Sequence, residues 1–135
     1  MKTPFRFIII DDSPVVHMLC NFIIRKIVRD AGIINFEIPE NGLDYIIQKY
    51  ANNELPTILF LDINMPTMSG WEFLEKFDNL TEKIKNQFWI YIMSSSIDSG
   101  DMQSARENEN VADYMEKPLS EKMILSILEK QEERV

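Results

Sequence analysis

Cysteine is nearly absent. Cys20 is the only one in 135 residues, so no internal disulfide can form and nothing points to an oxidising compartment. Glycine and proline are scarce, at four and six residues, which excludes a low-complexity tract or a flexible linker. Long hydrophobic runs are missing too: Phe7-Ile8-Ile9-Ile10 stops at Asp11-Asp12, far short of a signal-peptide core or a membrane span. Bases are the minority, 14 against 22 acids. The resulting charge of -8 argues against phosphate-backbone binding and, more weakly, against anionic membrane surfaces. There is no internal repeat. The expectation is a cytoplasmic protein with neither nucleic acid nor membrane as a direct partner.

What is present suits one globular domain over residues 1–135, with 45% hydrophobic and 27% charged residues. A chain of this length buries roughly two-thirds of its unfolded surface, enough for a core without staples. Apolar runs alternate with helix-period segments from end to end. Residues 5–10 are apolar and β-branched apart from Arg6, as in a strand buried on both faces. Ser13-Pro14 starts a helix with Ser as N-cap and Pro in the first turn, and Val16, Leu19, Ile23 and Ile27 form its apolar stripe up to residues 30–32. A second strand covers 33–38, and Asn41 caps a helix to Tyr50 with Leu43, Ile46, Ile47 and Tyr50 apolar. The third strand, 57–61, stops at Asp62. Ser69 and Glu72 have capping-box spacing ahead of Trp71, Phe73, Leu74 and Phe77, and 79–86 either extends that helix or is loop. A fourth strand at 88–93, a short polar helix at 100–108, a brief fifth strand at 112–115 and a last helix capped by Ser120 complete the chain. That last helix carries Met123, Ile124, Ile127 and Leu128, and 129–135 reads as a solvated charge run. Five strands alternating with five helices predict an α/β fold, a parallel sheet covered on both faces.

In such sheets the site lies outside the C-terminal strand ends, near the switch in strand order. Asp11 and Asp12 follow the first strand, Asp62 the third, Ser94-Ser95-Ser96 the fourth, and Lys117-Pro118 the fifth. Alone, an Asp pair after a strand is a helix cap, a serine triplet is turn chemistry and a lysine is solvated surface. Together they make a cluster. Three carboxylates repel one another and need a cation or shifted pKa values to coexist at neutral pH, and Mg²⁺ suits an all-oxygen set that has no nearby His or Cys for zinc. A lysine beside that ion requires further negative charge, such as a phosphoryl group, to which a serine hydroxyl can also donate. Since no His lies next to Ser to act as its base, an Asp carboxylate is the expected nucleophile, forming an acyl phosphate. His17 lies off the apolar stripe and is expected to face solvent near the rim of the site.

Asp11-Asp12-Ser13, the run Asp62-Ile63-Asn64-Met65-Pro66-Thr67-Met68-Ser69-Gly70, Ser94, and Tyr114-Met115-Glu116-Lys117-Pro118 together resemble the receiver domain of two-component response regulators, nearly end to end. The resemblance implies a flavodoxin-like, doubly wound sheet of five strands in the order 2-1-3-4-5 with five helices. It makes Asp62 the phosphoacceptor for a sensor histidine kinase or a histidine phosphotransfer protein. Asp12 would ligate Mg²⁺ directly, Asp11 through water, and Asn64 through its main-chain carbonyl, with Asp62 itself a ligand. Ser94 would contact the phosphoryl group, Lys117 would pair with the phosphoryl group and with Asp62, and the Lys117–Pro118 bond would be cis. Tyr114 matches an aromatic switch, although alone it reads as core packing. The interval from Ser94 to Lys117 is one residue longer than in familiar members, which leaves Ser95 as the alternative contact.

These residues imply a stand-alone receiver that signals to a downstream target protein through the surface of its fourth helix, fifth strand and fifth helix. It would not be an enzyme beyond phosphoryl transfer to itself and autodephosphorylation. Two alternatives stand beside it. One is a receiver fragment of a larger regulator. The other is an aspartyl-phosphate hydrolase of the haloacid-dehalogenase type, which would want an acid where Asn64 stands.

Overall fold

The computed structural model of the chain describes residues 6–96 and 98–134. Five strands, β1 (Arg6–Ile10), β2 (Gly32–Phe36), β3 (Thr57–Asp62), β4 (Phe88–Ser94) and β5 (Val111–Glu116), pair in parallel in the order β2-β1-β3-β4-β5. The helices are α1 (Pro14–Ile27), α2 (Pro39–Tyr50), α3 (Gly70–Asp78), α4 (Glu82–Lys85), α5 (Ser99–Glu107) and α6 (Glu121–Arg134). The fold class and strand order are those expected. The helix count among the described residues is six, not five, because Thr81 accepts a hydrogen bond from the Ile84 N–H and starts a separate short turn inside 79–86.

Period-two alternation in the strands builds two cores, one on each face of the sheet. Ile8, Ile10, Leu59, Leu61, Ile90 and Ile92 face one way, toward Leu43, Ile46 and Tyr50 of α2 and Phe73, Leu74 and Phe77 of α3. Phe7, Ile9, Ile58, Phe60, Tyr91 and Met93 face the other, toward Cys20 and Ile24 of α1 and Ile124 and Ile127 of α6. Every residue of β3 is buried, the pattern a central parallel strand requires. Phe5, the expected first strand residue, lies outside the described residues.

Three readings need correction. The inward face of α1 is His17, Cys20 and Ile24, while Leu19 of the expected stripe is 48% exposed. The helix is apolar on its outer face as well, so apolarity did not say which face meets the sheet. α2 begins two residues before Asn41, with Pro39 in its first turn and no side-chain cap, which ends β2 at Phe36 and leaves Ile38 and Ile47 exposed. The charge run at the end of α6 is not wholly solvated: Gln131 is fully buried and its Nε2 donates to the Tyr91 hydroxyl at 3.3 Å. Ser69 and Glu72 do form the capping box of α3, and Ser120 accepts from the Met123 N–H at the start of α6.

Candidate functional site

The C-terminal edge of the sheet gathers the charged residues. The Asp11 N–H donates to the Phe36 carbonyl at 3.0 Å, which carries the β1–β2 ladder one residue past the strand. Its carboxylate Oδ1 accepts from the Ser13 N–H at 2.9 Å, an Asx-type turn, and Ser13 Oγ in turn caps α1 at the Val16 N–H. Asp62 ends β3 still in register with Met93, and its Oδ1 accepts from the Asn64 N–H at 3.4 Å. The Lys117 N–H donates to the Ser94 carbonyl at 2.8 Å, tying the β5 end to the β4 end, and the Lys117–Pro118 peptide is cis.

Those backbones bring four charges together. Carboxylate oxygens of Asp11, Asp12 and Asp62 lie within 4.8 Å of one another. Lys117 Nζ is 2.6 Å from Asp11 Oδ2 and 3.4 Å from Asp62 Oδ1. Asp11 is fully buried, Asp62 is 4% exposed, and Asp12 faces solvent. Burial, then the Asp11 charge, push the Asp62 carboxyl above its ordinary value, against the pull of Lys117 and the Asn64 N–H. Burial opposes the charge on Lys117, but the Asp11 and Asp62 carboxylates outweigh it and hold the lysine above its ordinary value. Three acids against one lysine leave an excess of negative charge in an all-oxygen donor set that opens to solvent through Asp12. That fits a hard divalent cation such as Mg²⁺.

Not every expected residue meets the cluster. The Ser94 hydroxyl is engaged in its own loop, donating to the Ser96 carbonyl and accepting from the Ser96 N–H, both at 3.2 Å. Ser95 is exposed. The Tyr114 ring is half-buried against the first core, and Arg106 Nη1 approaches its hydroxyl at 3.4 Å. Three further residues border the site, among them His17, which the sequence reading turned toward solvent. His17 is 6% exposed, and its Nε2 is 2.7 Å from the Asp11 carbonyl oxygen. Cys20 is buried, and desolvation together with the Asp11 charge pushes its thiol up to about 12, against the pull of Lys117, so it is no nucleophile. Gly70 is a third such neighbour: a Cβ there would lie 2.6 Å from the Asp62 carbonyl oxygen.

Fold and site together define a doubly wound α/β protein whose switch-point edge carries a cluster of three acids and one lysine. The chain belongs to the response regulator receiver domain family, whose pattern it matches over residues 7–129. Members of this family work in two-component systems and signal by phosphorylation, and their acidic pockets bind Mg²⁺. The chain is 30% identical over 125 residues to the chemotaxis protein CheY of Listeria monocytogenes, covering 93% of this chain and 96% of that protein. It is also 37% identical over 76 residues to a protein-glutamate methylesterase/protein-glutamine glutaminase of Xanthomonas oryzae, where the match covers 56% of this chain and 20% of the relative. The chain thus spans about a fifth of the length of the methylesterase relatives it matches. Among solved structures, a two-component response regulator from Cytophaga hutchinsonii superposes with a TM-score of 0.88 at 29% identity, over 96% of this chain and 97% of that one. Among the described residues, no helix is long and apolar enough to cross a membrane.

Proposed function

We propose that Asp62 accepts a phosphoryl group from the phosphohistidine of a sensor histidine kinase or phosphotransfer protein, and that the phosphorylated chain signals by docking to a downstream target protein. The observation that carries this is the shared lysine: Lys117 Nζ contacts Asp11 and Asp62 at once, at 2.6 and 3.4 Å, inside an acid cluster with charge to spare. Asp12, the Asn64 main-chain carbonyl, Asp62, and Asp11 through water would hold Mg²⁺. When bound, the ion would supply neutralisation of the charge on the transferring group.

An Asp62 carboxylate oxygen bonds to phosphorus as the phosphorus–nitrogen bond of the phosphohistidine breaks, and the electron pair leaves with the imidazole. Lys117 then exchanges its Asp62 contact for a phosphoryl oxygen. The Ser94 hydroxyl exchanges its Ser96 contacts for the same group, and Tyr114 repacks with that loop movement. The output surface is α5, β5 and α6, the observed equivalents of the fourth helix, fifth strand and fifth helix of the sequence reading. The donor seats on α1, the helix that follows Asp12, where Val15, Met18, Leu19 and Phe22 are exposed at helical spacing. Chemistry is confined to phosphoryl acceptance and loss at Asp62, in the cytoplasm where such donors present their phosphohistidine. A second reading, the receiver part of a longer regulator, is supported by the methylesterase relatives, only 20% of whose length the match covers. The open reading frame decides between them.

Labelling with radioactive acetyl phosphate tests the assignment. The chain takes up label with Mg²⁺ present and loses that capacity in chelator, and Asp62→Asn takes up none. Retained labelling in Asp62→Asn overturns it.

A further inference from the structure

We infer that His17 is a positioning residue for the cation site, holding the Asp11–Asp12 peptide in the orientation that directs both carboxylates into the cluster. The inference rests on the reading of Asp11 and Asp12 as cation ligands. His17 lies in the first turn of α1, yet its ring is turned inward, 6% exposed, on the face that packs against the sheet. Both ring nitrogens have partners: Nε2 is 2.7 Å from the Asp11 carbonyl oxygen, and Nδ1 is 2.9 Å from Oδ1 of Asn35 in β2. A carbonyl oxygen can only accept, so Nε2 donates to it.

The contact matters because of where that carbonyl sits. Asp11 is fully buried, its N–H is fixed by Phe36, and its two carboxylate oxygens are held by the Ser13 N–H and by Lys117. Its carbonyl is half of the peptide unit that leads into Asp12. Rotating that unit swings the exposed Asp12 carboxylate relative to Asp11 and Asp62, and His17 is the side chain that donates to it. The imidazole thus joins α1, the end of β1 and β2 at the peptide on which the acid pair depends, in the way that partners behind metal ligands fix ligand direction. An apolar side chain of similar size would leave the Asp11 carbonyl buried without that donor.

Full-length His17→Leu and His17→Gln distinguish positioning from packing, because glutamine offers an N–H donor close to the Nε2 position and leucine offers none. Calorimetric titration is expected to show the Mg²⁺ dissociation constant rising about tenfold in His17→Leu. In His17→Gln it should return most of the way to the wild-type value. In the metal-free protein, amide hydrogen exchange is expected to quicken at Asp12 and Ser13 in His17→Leu while β3 and β4 stay protected. Unchanged Mg²⁺ affinity in His17→Leu would overturn the inference. So would a loss that glutamine fails to restore, or one accompanied by faster exchange across the whole sheet. Asp12→Asn is the control: if it binds Mg²⁺ as tightly as wild type, the cation reading of the cluster falls, independently of His17.

Discussion

Asp62 carries negative charge into a place that resists it. Desolvation and the neighbouring Asp11 raise its pKa above the ordinary 3.8, and Lys117 offsets only part of this. The native state therefore holds the Asp62 proton more tightly than the unfolded chain does. Ionised Asp62 costs stability above its raised native pKa, and that cost fades as pH falls through the native value toward 3.8. In Mg²⁺-free buffer near neutrality, Asp62→Asn should melt a few degrees above wild type by scanning calorimetry, with the gap closing in acid and on adding Mg²⁺. A variant that melts lower than wild type would remove the charge-frustration account. The same frustration is useful to a phosphoacceptor, since a carboxylate that neighbours already oppose is relieved when a cation and a phosphoryl group arrive together. Lys117 runs the other way: the two carboxylates outweigh its burial and hold it charged.

At the scale of elements, the site depends on how closely α3 approaches the end of β3. Ser69 and Glu72 fix the start of α3 by reciprocal capping, and the Gly70 N–H donates to the Ile63 carbonyl at 2.7 Å. A Cβ on Gly70 would sit 2.6 Å from the Asp62 carbonyl oxygen and 2.9 Å from Ile63 Cα. Both are backbone atoms, with little freedom to yield. Gly70→Ala should therefore cost about 1–3 kcal/mol in urea unfolding. It should also slow acetyl phosphate labelling, because the helix can retreat only by dragging the Asp62 peptide with it. Normal labelling together with normal stability would show that the α3 start is softer than its contacts imply.

Over the whole molecule, the proposed phosphoacceptor edge and the proposed donor seat lie at the two ends of one connection, the start of α1. Met18 and Phe22 are 63% and 67% exposed on α1, the helix that follows Asp12, so on the proposed reading a protein donor would use an apolar seat that a small phosphodonor does not need. Phe22→Glu is expected to slow phosphoryl transfer from a histidine-phosphorylated protein by tenfold or more, on the scale of about 1–3 kcal/mol for an interface anchor. Acetyl phosphate labelling should stay at the wild-type rate. An equal loss with both donors would place the defect in the fold.

The strand runs, the capping box at Ser69 and the order of Asp11, Asp12, Asp62, Ser94 and Lys117 along the chain are properties of sequence. Apolar period and turn chemistry are local, and a parallel α/β sheet brings its strand ends to one edge wherever they fall in sequence. The sequence by itself therefore determined the layered fold, the family and the residues that could form the site. Which face of α1 turns inward was a different matter. That helix is apolar on two sides, and only packing against β1 and β3 selected Cys20 and Ile24, carrying the polar His17 in with them to reach the Asp11 carbonyl. Gln131 was drawn into the core in the same way, out of a run that reads as solvated. A buried polar residue is decided by the partner that satisfies it, and such partners lie far off in sequence: Asn35 is 18 residues from His17, Tyr91 is 40 from Gln131, and Lys117 is 106 from Asp11. Only the tertiary structure brings those pairs together.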